Sequence, residues 1–208
     1  MTDLKDRTAL VTGSTSGIGK ATALALAGRG AHVLVVGRNE QRAEQVVAEI
    51  EGNGGRASFR LTTLGDLESA RELVEWATEA GGGHVDILIN NAGVSVFGPT
   101  DAATEAEFDE TFALNVKVPF FLVAALAPAM AERGWGSIVN ISTNMAHTAA
   151  RGYAVYGTVK AALIERFGQF FDPNNLRFGG DVYLSRIVAA AAMVPGVESA
   201  AVTKKGVL

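Results

Sequence analysis

Tyr156-Gly157-Thr158-Val159-Lys160 sets a phenol and an ammonium four residues apart near the start of a predicted helix. On a helix that spacing puts both side chains on one face. A cation beside a phenol favours the phenolate and lowers the tyrosine pKa from its ordinary value of about 10. A tyrosine so placed suits general acid/base work near neutral pH. The same spacing also arises where a helix buries a tyrosine and lets a lysine snorkel to solvent, so the pair alone supports both readings.

A second group of residues with chemical potential lies near the N-terminus. Thr8 to Thr12 is a short, largely apolar run that breaks at Gly13, and Gly17-Ile18-Gly19 opens an Ala-rich segment reaching about Arg29. A strand, a glycine turn and a helix in that order form the opening of a nucleotide-binding βαβ unit. The glycines let backbone approach a pyrophosphate, and the helix N-terminus offers free N–H groups with a partial positive charge. The spacing, Gly13-x-x-x-Gly17-x-Gly19, differs from the G-x-G-x-x-G fingerprint. His32 to Val36 reads as the second strand and ends in Gly37-Arg38. Where an NAD site offers an acid to the ribose, this tip carries a guanidinium, which suits a 2′-phosphate. A solvated surface arginine is the other reading of Arg38.

The elements that must position these groups follow in strict alternation. Asn39 to Glu51 is amphipathic with Ala43, Val46, Val47 and Ile50 on one side, and Ala57 to Leu61 is a third strand. Asp66 is placed to N-cap the next helix, whose inner face is Ala70, Leu73, Val74 and Ala77. Val85 to Ile89 is a fourth strand leading into Asn90-Asn91-Ala92-Gly93. Thr104-Glu105-Ala106-Glu107 has the form of a capping box and opens a long helix, with Phe108, Phe112 and Val116 on one side, that reaches towards Glu132. Ser137 to Ser142 is the fifth strand. Strands alternating with helices predict an α/β fold, a doubly wound parallel sheet of Rossmann type with five clear strands. Ligands in such sheets sit at the carboxyl ends of the strands, where Gly13, Arg38, Asn91 and Ser142 all fall.

The whole chain narrows the function classes. Its 208 residues, 48% apolar and 19% charged, describe a globular chain able to bury a substantial core. A net charge of -4 supplies no basic footprint for nucleic acid. There is no Cys, which fits a reducing cytoplasm, and His32, His84 and His147 stand at no ligand spacing, so no metal is expected. Val118 to Ala131, the longest apolar run, carries Pro119 and Pro128 and is too short for a bilayer, so no membrane is expected either.

Taken in order, Thr12-Gly13-Ser14-Thr15-Ser16-Gly17-Ile18-Gly19, Asn90-Asn91-Ala92-Gly93, Asn115 within Leu114-Asn115-Val116, Ser142, and Tyr156 with Lys160 resemble the short-chain dehydrogenase/reductase family from about Asp6 to Ile164. The resemblance implies an oxidoreductase that moves a hydride between NADP(H), NAD being less expected, and a small carbonyl or alcohol substrate. It implies that Tyr156 carries the proton and that Lys160 holds the nicotinamide ribose and lowers the Tyr156 pKa. Ser142 would bond the reacting oxygen and Asn115 would keep a water beside Lys160. Gly13, Ser14, Ser16, Gly17, Ile18, Gly19, Arg38, Leu64, Asn91, Ala92 and Gly93 would line the cofactor with Tyr156 and Lys160. Family members place an Asp at the position of Thr63, next to Leu64, and its loss would weaken adenine binding. The resemblance also implies a homo-oligomer built through the helices near 104–133 and 153–170. Tyr153 is excluded as the acid/base because Gly157 stands four residues after it.

The resemblance stops before the end. The family's sixth and seventh strands and substrate-covering segment are expected to be missing or replaced, which divides the chain into an oxidoreductase domain, 1–165, and an atypical tail, 166–208. In the tail Asp172 to Phe178 reads as a shortened entry into a sixth strand, Val182 to Met193 as a helix and Val197 to Thr203 as a strand. Phe178 to Arg186, continuing through Val194-Pro195-Gly196-Val197, resembles the end of a phage baseplate J-like assembly protein. A fused or frameshifted tail is the reading, with a divergent dehydrogenase ending as the alternative. A catalytically impaired dinucleotide-binding protein, or a chimeric fragment, is the matching alternative for function.

Overall fold

The computed structural model describes residues 3–148 and 151–170; the expected tail elements lie outside them. Five parallel strands form one sheet: β1 (Thr8–Val11), β2 (His32–Gly37), β3 (Arg56–Leu61), β4 (Ile87–Asn90) and β5 (Ser137–Asn140), in the order β3-β2-β1-β4-β5. The helices between them are α1 (Gly17–Ala27), α2 (Glu40–Gly52), α3 (Leu67–Ala80), α4 (Glu105–Phe112), α5 (Val118–Glu132) and α6 (Ala154–Phe170). The chain runs outward from β1 to β3, then crosses back to β4. The order therefore reverses beside β1, which is where such sheets open a crevice at their carboxyl ends.

Alternation along each strand divides the core in two. Leu10, Leu34, Leu88 and Ile138, adjacent in register, face Leu73, Leu122 and Leu163 of α3, α5 and α6. Val11, Val33, Val35, Ile87, Ile89 and Val139 face the other way, onto Leu26, Val46 and Ile50 of α1 and α2. Burial on both faces is why these strands read as unbroken apolar runs. The caps predicted at Asp66 and Thr104 both form, each as a reciprocal box with Ser69 and Glu107. At the amino ends of the strands the buried carboxylate of Asp86 accepts from the Thr8 N–H (3.0 Å) and Arg7 Nη1 (3.3 Å). Arg7 also lies over the Trp135 ring, 3.9 Å from its centroid.

One expectation is corrected. The single helix expected between Thr104 and Glu132 is interrupted by a π-helical turn at Ala113–Lys117, where the Val118 N–H reaches back to the Ala113 carbonyl. Pro119 has no N–H to give the Asn115 carbonyl four residues earlier, so an ordinary α-turn cannot close there. Of the residues read as sharing one side of that helix, Phe108 and Phe112 are each 40% exposed and stack on one another with centroids 6.4 Å apart, while Val116 is buried. The helical segment Glu105–Glu132 is long and apolar enough to cross a membrane by length and composition, unlike the shorter run considered above. Here Val118, Leu122, Val123, Leu126 and Met130 belong to the core beneath the sheet, so its apolarity has a use within the fold.

Candidate functional site

The turn after β1 is locked from inside. Gly13 and Gly17 take positive φ, +64° and +52°, which a side chain would resist. A Cβ on Gly19 would run into the Gly13 carbonyl and the Asn91 amide, so α1 starts closer to the turn than any other residue would allow. Asn91 Nδ2 donates to the Thr12 and Gly13 carbonyls (2.9 and 3.1 Å). Thr12 Oγ1 in return accepts from the N–H groups of Asn91 and Ala92, both at 3.0 Å. Thr12 is thus the residue that joins the two motifs, and its place in the site was not predicted; a hydroxyl directly before the first glycine was the available signal.

Ser14, expected along the cofactor, turns its side chain into the sheet as a clamp. Its hydroxyl donates to the Val11 carbonyl (2.7 Å) and accepts from the Val36 N–H (2.9 Å), and its own N–H goes to the Val36 carbonyl (2.9 Å). Ser16 stands at the N-cap of α1 without bonding the helix through its side chain, and it is exposed beside Gly17. Ile18 is half-buried in the first turn. At the tip of β2, Gly37 has no Cβ, and the Thr15 side chain occupies that place. Arg38 follows it, exposed. Leu64 points into the core, so only its backbone is free to meet a ligand.

The four residues expected to do chemistry gather at the carboxyl ends of β4 and β5. Asn115 sits in the π-turn with its Nδ2 donating to the carbonyls of Val94 (2.7 Å) and Thr111 (2.8 Å). Its Oδ1 is buried and bonds to nothing among the described residues. A Cβ on Gly93 would stand 2.5 Å from that oxygen and 3.6 Å from Lys160 Nζ, so Gly93 keeps a narrow space between the two. The strand carrying Ser142 ends at Asn140, two residues before its expected end; the Ala92 N–H is turned to Thr12 Oγ1 (3.0 Å), and the Ile141 carbonyl accepts from Lys160 Nζ (3.0 Å). Ser142 leaves the sheet there with its hydroxyl buried and, among the described residues, unbonded. A 3-10 turn at Asn144–Ala146 follows, and α6 presses against it through Gly157, whose Cβ would lie 2.8 Å from the Met145 carbonyl. The glycine in the Tyr-x-x-x-Lys stretch thus brings Tyr156 against the Ser142 segment.

The electrostatics differ from the expectation. Burial pushes the Tyr156 phenol above its ordinary 10.0, where Lys160 was expected to lower it. Lys160 is itself nearly sealed, and burial lowers it to about 8. Its ammonium stands 5.9 Å from the Tyr156 ring centroid and is directed to the Ile141 carbonyl. Desolvation outweighs the pairwise attraction at both groups, since each loses water and neither gains a close counter-charge.

The donor set suits a dinucleotide: a strained glycine turn before a helix N-terminus at one end, and two buried, unbonded polar atoms beside an ammonium at the other. A family model described as short chain dehydrogenase matches residues 7–170. The chain belongs to the short-chain dehydrogenase family. Among curated short-chain relatives, dehydrogenase/reductase SDR family member 4 from Homo sapiens is 40% identical over 162 residues, covering 77% of this chain and 58% of the relative. An uncharacterized oxidoreductase from Thermotoga maritima is 36% identical over 162 residues, covering 78% of this chain and 63% of the relative. The chain therefore spans less than two thirds of either. A solved metagenomic short-chain oxidoreductase in complex with NADP superposes with a TM-score of 0.80 at 31% identity, covering 88% of this chain and 82% of that one. The likeness of the tail to a phage baseplate J-like protein gains no support from these comparisons.

Proposed function

We propose that this short-chain dehydrogenase interconverts a small carbonyl compound and its alcohol with NADP(H), Tyr156 being the acid/base. The observation that carries the reading is the gathering of Tyr156, Lys160, Ser142 and Asn115 at the carboxyl ends of β4 and β5, two of them with buried oxygens that have no hydrogen-bond partner among the described residues. The backbone of Gly13, Ser16, Gly17, Ile18 and Gly19 would hold the pyrophosphate. Arg38 would meet the 2′-phosphate, Asn91, Ala92 and Gly93 the adjoining ribose, and Tyr156 and Lys160 the nicotinamide ribose. NADPH, when bound, supplies the hydride. The Tyr156 phenol, kept protonated by burial, donates its proton to the carbonyl oxygen. Ser142 Oγ–H donates a hydrogen bond to the same oxygen as charge builds on it. Lys160 stands ready to return a proton, its pKa of about 8 placing that exchange near neutral pH. Asn115 Oδ1 accepts a hydrogen bond from whatever occupies the space beside Lys160. A chain without Cys suits a reducing, cytoplasmic setting. Copies of the chain would associate through the helices at 104–133 and 153–170, where Phe108, Phe112 and Phe120 lie exposed.

The test is an incubation with NADPH and a panel of ketones and aldehydes, followed by nicotinamide absorbance. Tyr156→Phe should lose about 10²- to 10⁴-fold in kcat, the contribution of positioned proton transfer, while cofactor affinity stays put. An undiminished rate in Tyr156→Phe overturns the assignment. Cofactor binding with no turnover on any carbonyl supports the dinucleotide-binding alternative.

A further inference from the structure

Tyr153 is excluded as the acid/base, yet its ring is placed with care. It meets Phe97 edge-on, centroids 4.8 Å apart and planes at 67°. Phe97 in turn stands 6.2 Å from the Tyr156 ring at 64°. Phe97 is 59% exposed and joins neither core cluster, so it does not serve the packing of the sheet. It lies on the segment between β4 and α4, whereas Tyr153 immediately precedes α6. The two segments are tied by a hydrogen bond from the Gly98 N–H to the Gly152 carbonyl (3.0 Å). Gly152 holds a φ of +82° next to that bond, a conformation glycine adopts without strain. The rings are therefore anchored through backbone and fixed against the proton-carrying tyrosine.

We propose that Phe97 and Tyr153 form a specificity wall that selects carbonyl substrates bearing a flat aromatic group next to the reacting carbon. The inference rests on the carbonyl/alcohol reading above and names its substrate class. A carbonyl oxygen bonded to Tyr156 places the group on its carbon within reach of Phe97. Rings prefer offset or edge-to-face neighbours at about 4.5–7 Å between centroids, and such pairs add about two- to tenfold in affinity beyond area burial. A substrate ring entering here completes a cluster whose other members are already held at those spacings and angles. A saturated ring of equal carbon count has a similar span but is thicker, and it lacks the charge distribution that makes edge and face attract.

Acetophenone and cyclohexyl methyl ketone form a matched pair for the test, with the full chain at saturating NADPH. Wild type should favour acetophenone by about three- to tenfold in kcat/KM. Phe97→Ala and Phe97→Leu should bring that ratio towards one, mainly through KM, while Phe97→Tyr and Tyr153→Phe retain it. A wild type without preference overturns the wall, as does a ratio that survives Phe97→Ala or a Phe97→Ala that slows both ketones equally. The same pair is also titrated against the protein with NADP⁺, a complex that cannot turn over. If no carbonyl is reduced, the functional reading fails, but the binding ratio still decides the wall. Equal affinity, or no binding of either ketone, overturns it.

Discussion

The two halves of the crevice treat their polar groups in opposite ways. Around the glycine turn, Thr12, Ser14 and Asn91 spend their side chains on backbone partners across β1, β2 and β4. Around Tyr156, the oxygens of Asn115 and Ser142 are buried without partners, and Lys160 is desolvated with one carbonyl for company. A buried polar atom left unbonded costs about 1–3 kcal/mol. The first half is therefore rigid before any ligand arrives, and its contribution is shape. The second half carries unmet hydrogen-bonding capacity, and under the proposed function its contribution is chemistry.

Two glycines break that comparison most sharply. Gly19→Ala forces a methyl against the Gly13 carbonyl and the Asn91 amide, inside the satisfied half. Overpacking at such a site costs about 1–3 kcal/mol, so the variant should unfold at lower denaturant, and a displaced turn that loses a similar amount of binding free energy would hold NADPH about five- to a hundredfold more weakly. Gly93→Ala instead pushes on Asn115 Oδ1, 2.5 Å from the new methyl, in the unsatisfied half. A displacement of about 1 Å there should cost about a hundredfold in kcat, with a smaller loss of cofactor affinity because Gly93 also borders the proposed ribose site. Unfolding curves, NADPH titrations and turnover on the same two proteins decide it. If both variants lose stability and neither loses kcat selectively, the division of labour does not exist.

How far the sequence carried this picture depends on where each residue's partner lies. The strands were legible because burial on both faces leaves an apolar run with no alternation to misread, as in Val33 to Val36. The caps at Asp66 and Thr104 were legible because each partner is three residues away. Thr12 stands in its motif without a legible role, because the groups it bonds are 79 and 80 residues distant. At the early end of β5 the Ala92 N–H has turned to Thr12 and the Ile141 carbonyl meets Lys160, contacts that no local pattern announces. Phe108 and Phe112 follow helical spacing faithfully and still face outward, since periodicity names a stripe without saying what covers it. The four expected catalytic residues did come together; the Tyr156 pKa was misjudged because spacing shows a neighbouring charge and says nothing of lost water.

The contrast is sharpened next at the far end of the satisfied half. Arg38 is exposed after Gly37, whose missing Cβ lets Thr15 cover the tip of β2. A guanidinium contact to a 2′-phosphate adds about ten- to a hundredfold in affinity. Arg38→Ala should lose that factor for NADPH and leave NADH nearly unmoved, with stability unchanged, as measured by parallel titrations. Equal affinities for the two cofactors in the wild type would remove Arg38 from the site. Gly37→Ala should weaken both cofactors alike, because it displaces Thr15 and not the charge.

The smallest effect tests the unsatisfied half through stability alone. Burial lowers Lys160 from 10.5 to about 8, so the folded chain gives up this proton earlier than the unfolded chain does. Below a pH of about 8 both states are protonated, and folding bears the full cost of burying the ammonium. Between about 8 and 10.5 the unfolded state binds more protons, so this group's contribution to stability rises with pH. The rise should reach about 1 kcal/mol between pH values of about 7 and 9. Tyr156 acts in the opposite sense but later: its pKa is raised above 10.0, so its contribution to stability falls as pH climbs past that point. The window from about 8 to 10 therefore belongs to Lys160. Other groups titrate across it too, so the quantity to measure is the difference in unfolding free energy between wild type and Lys160→Met as pH is raised. Methionine keeps the stem and removes the charge, and the variant should start out more stable and lose that advantage by a pH of about 10. A difference that stays flat would mean the ammonium is well solvated in the folded chain, and the catalytic half would then be no less satisfied than the half that holds the glycine turn.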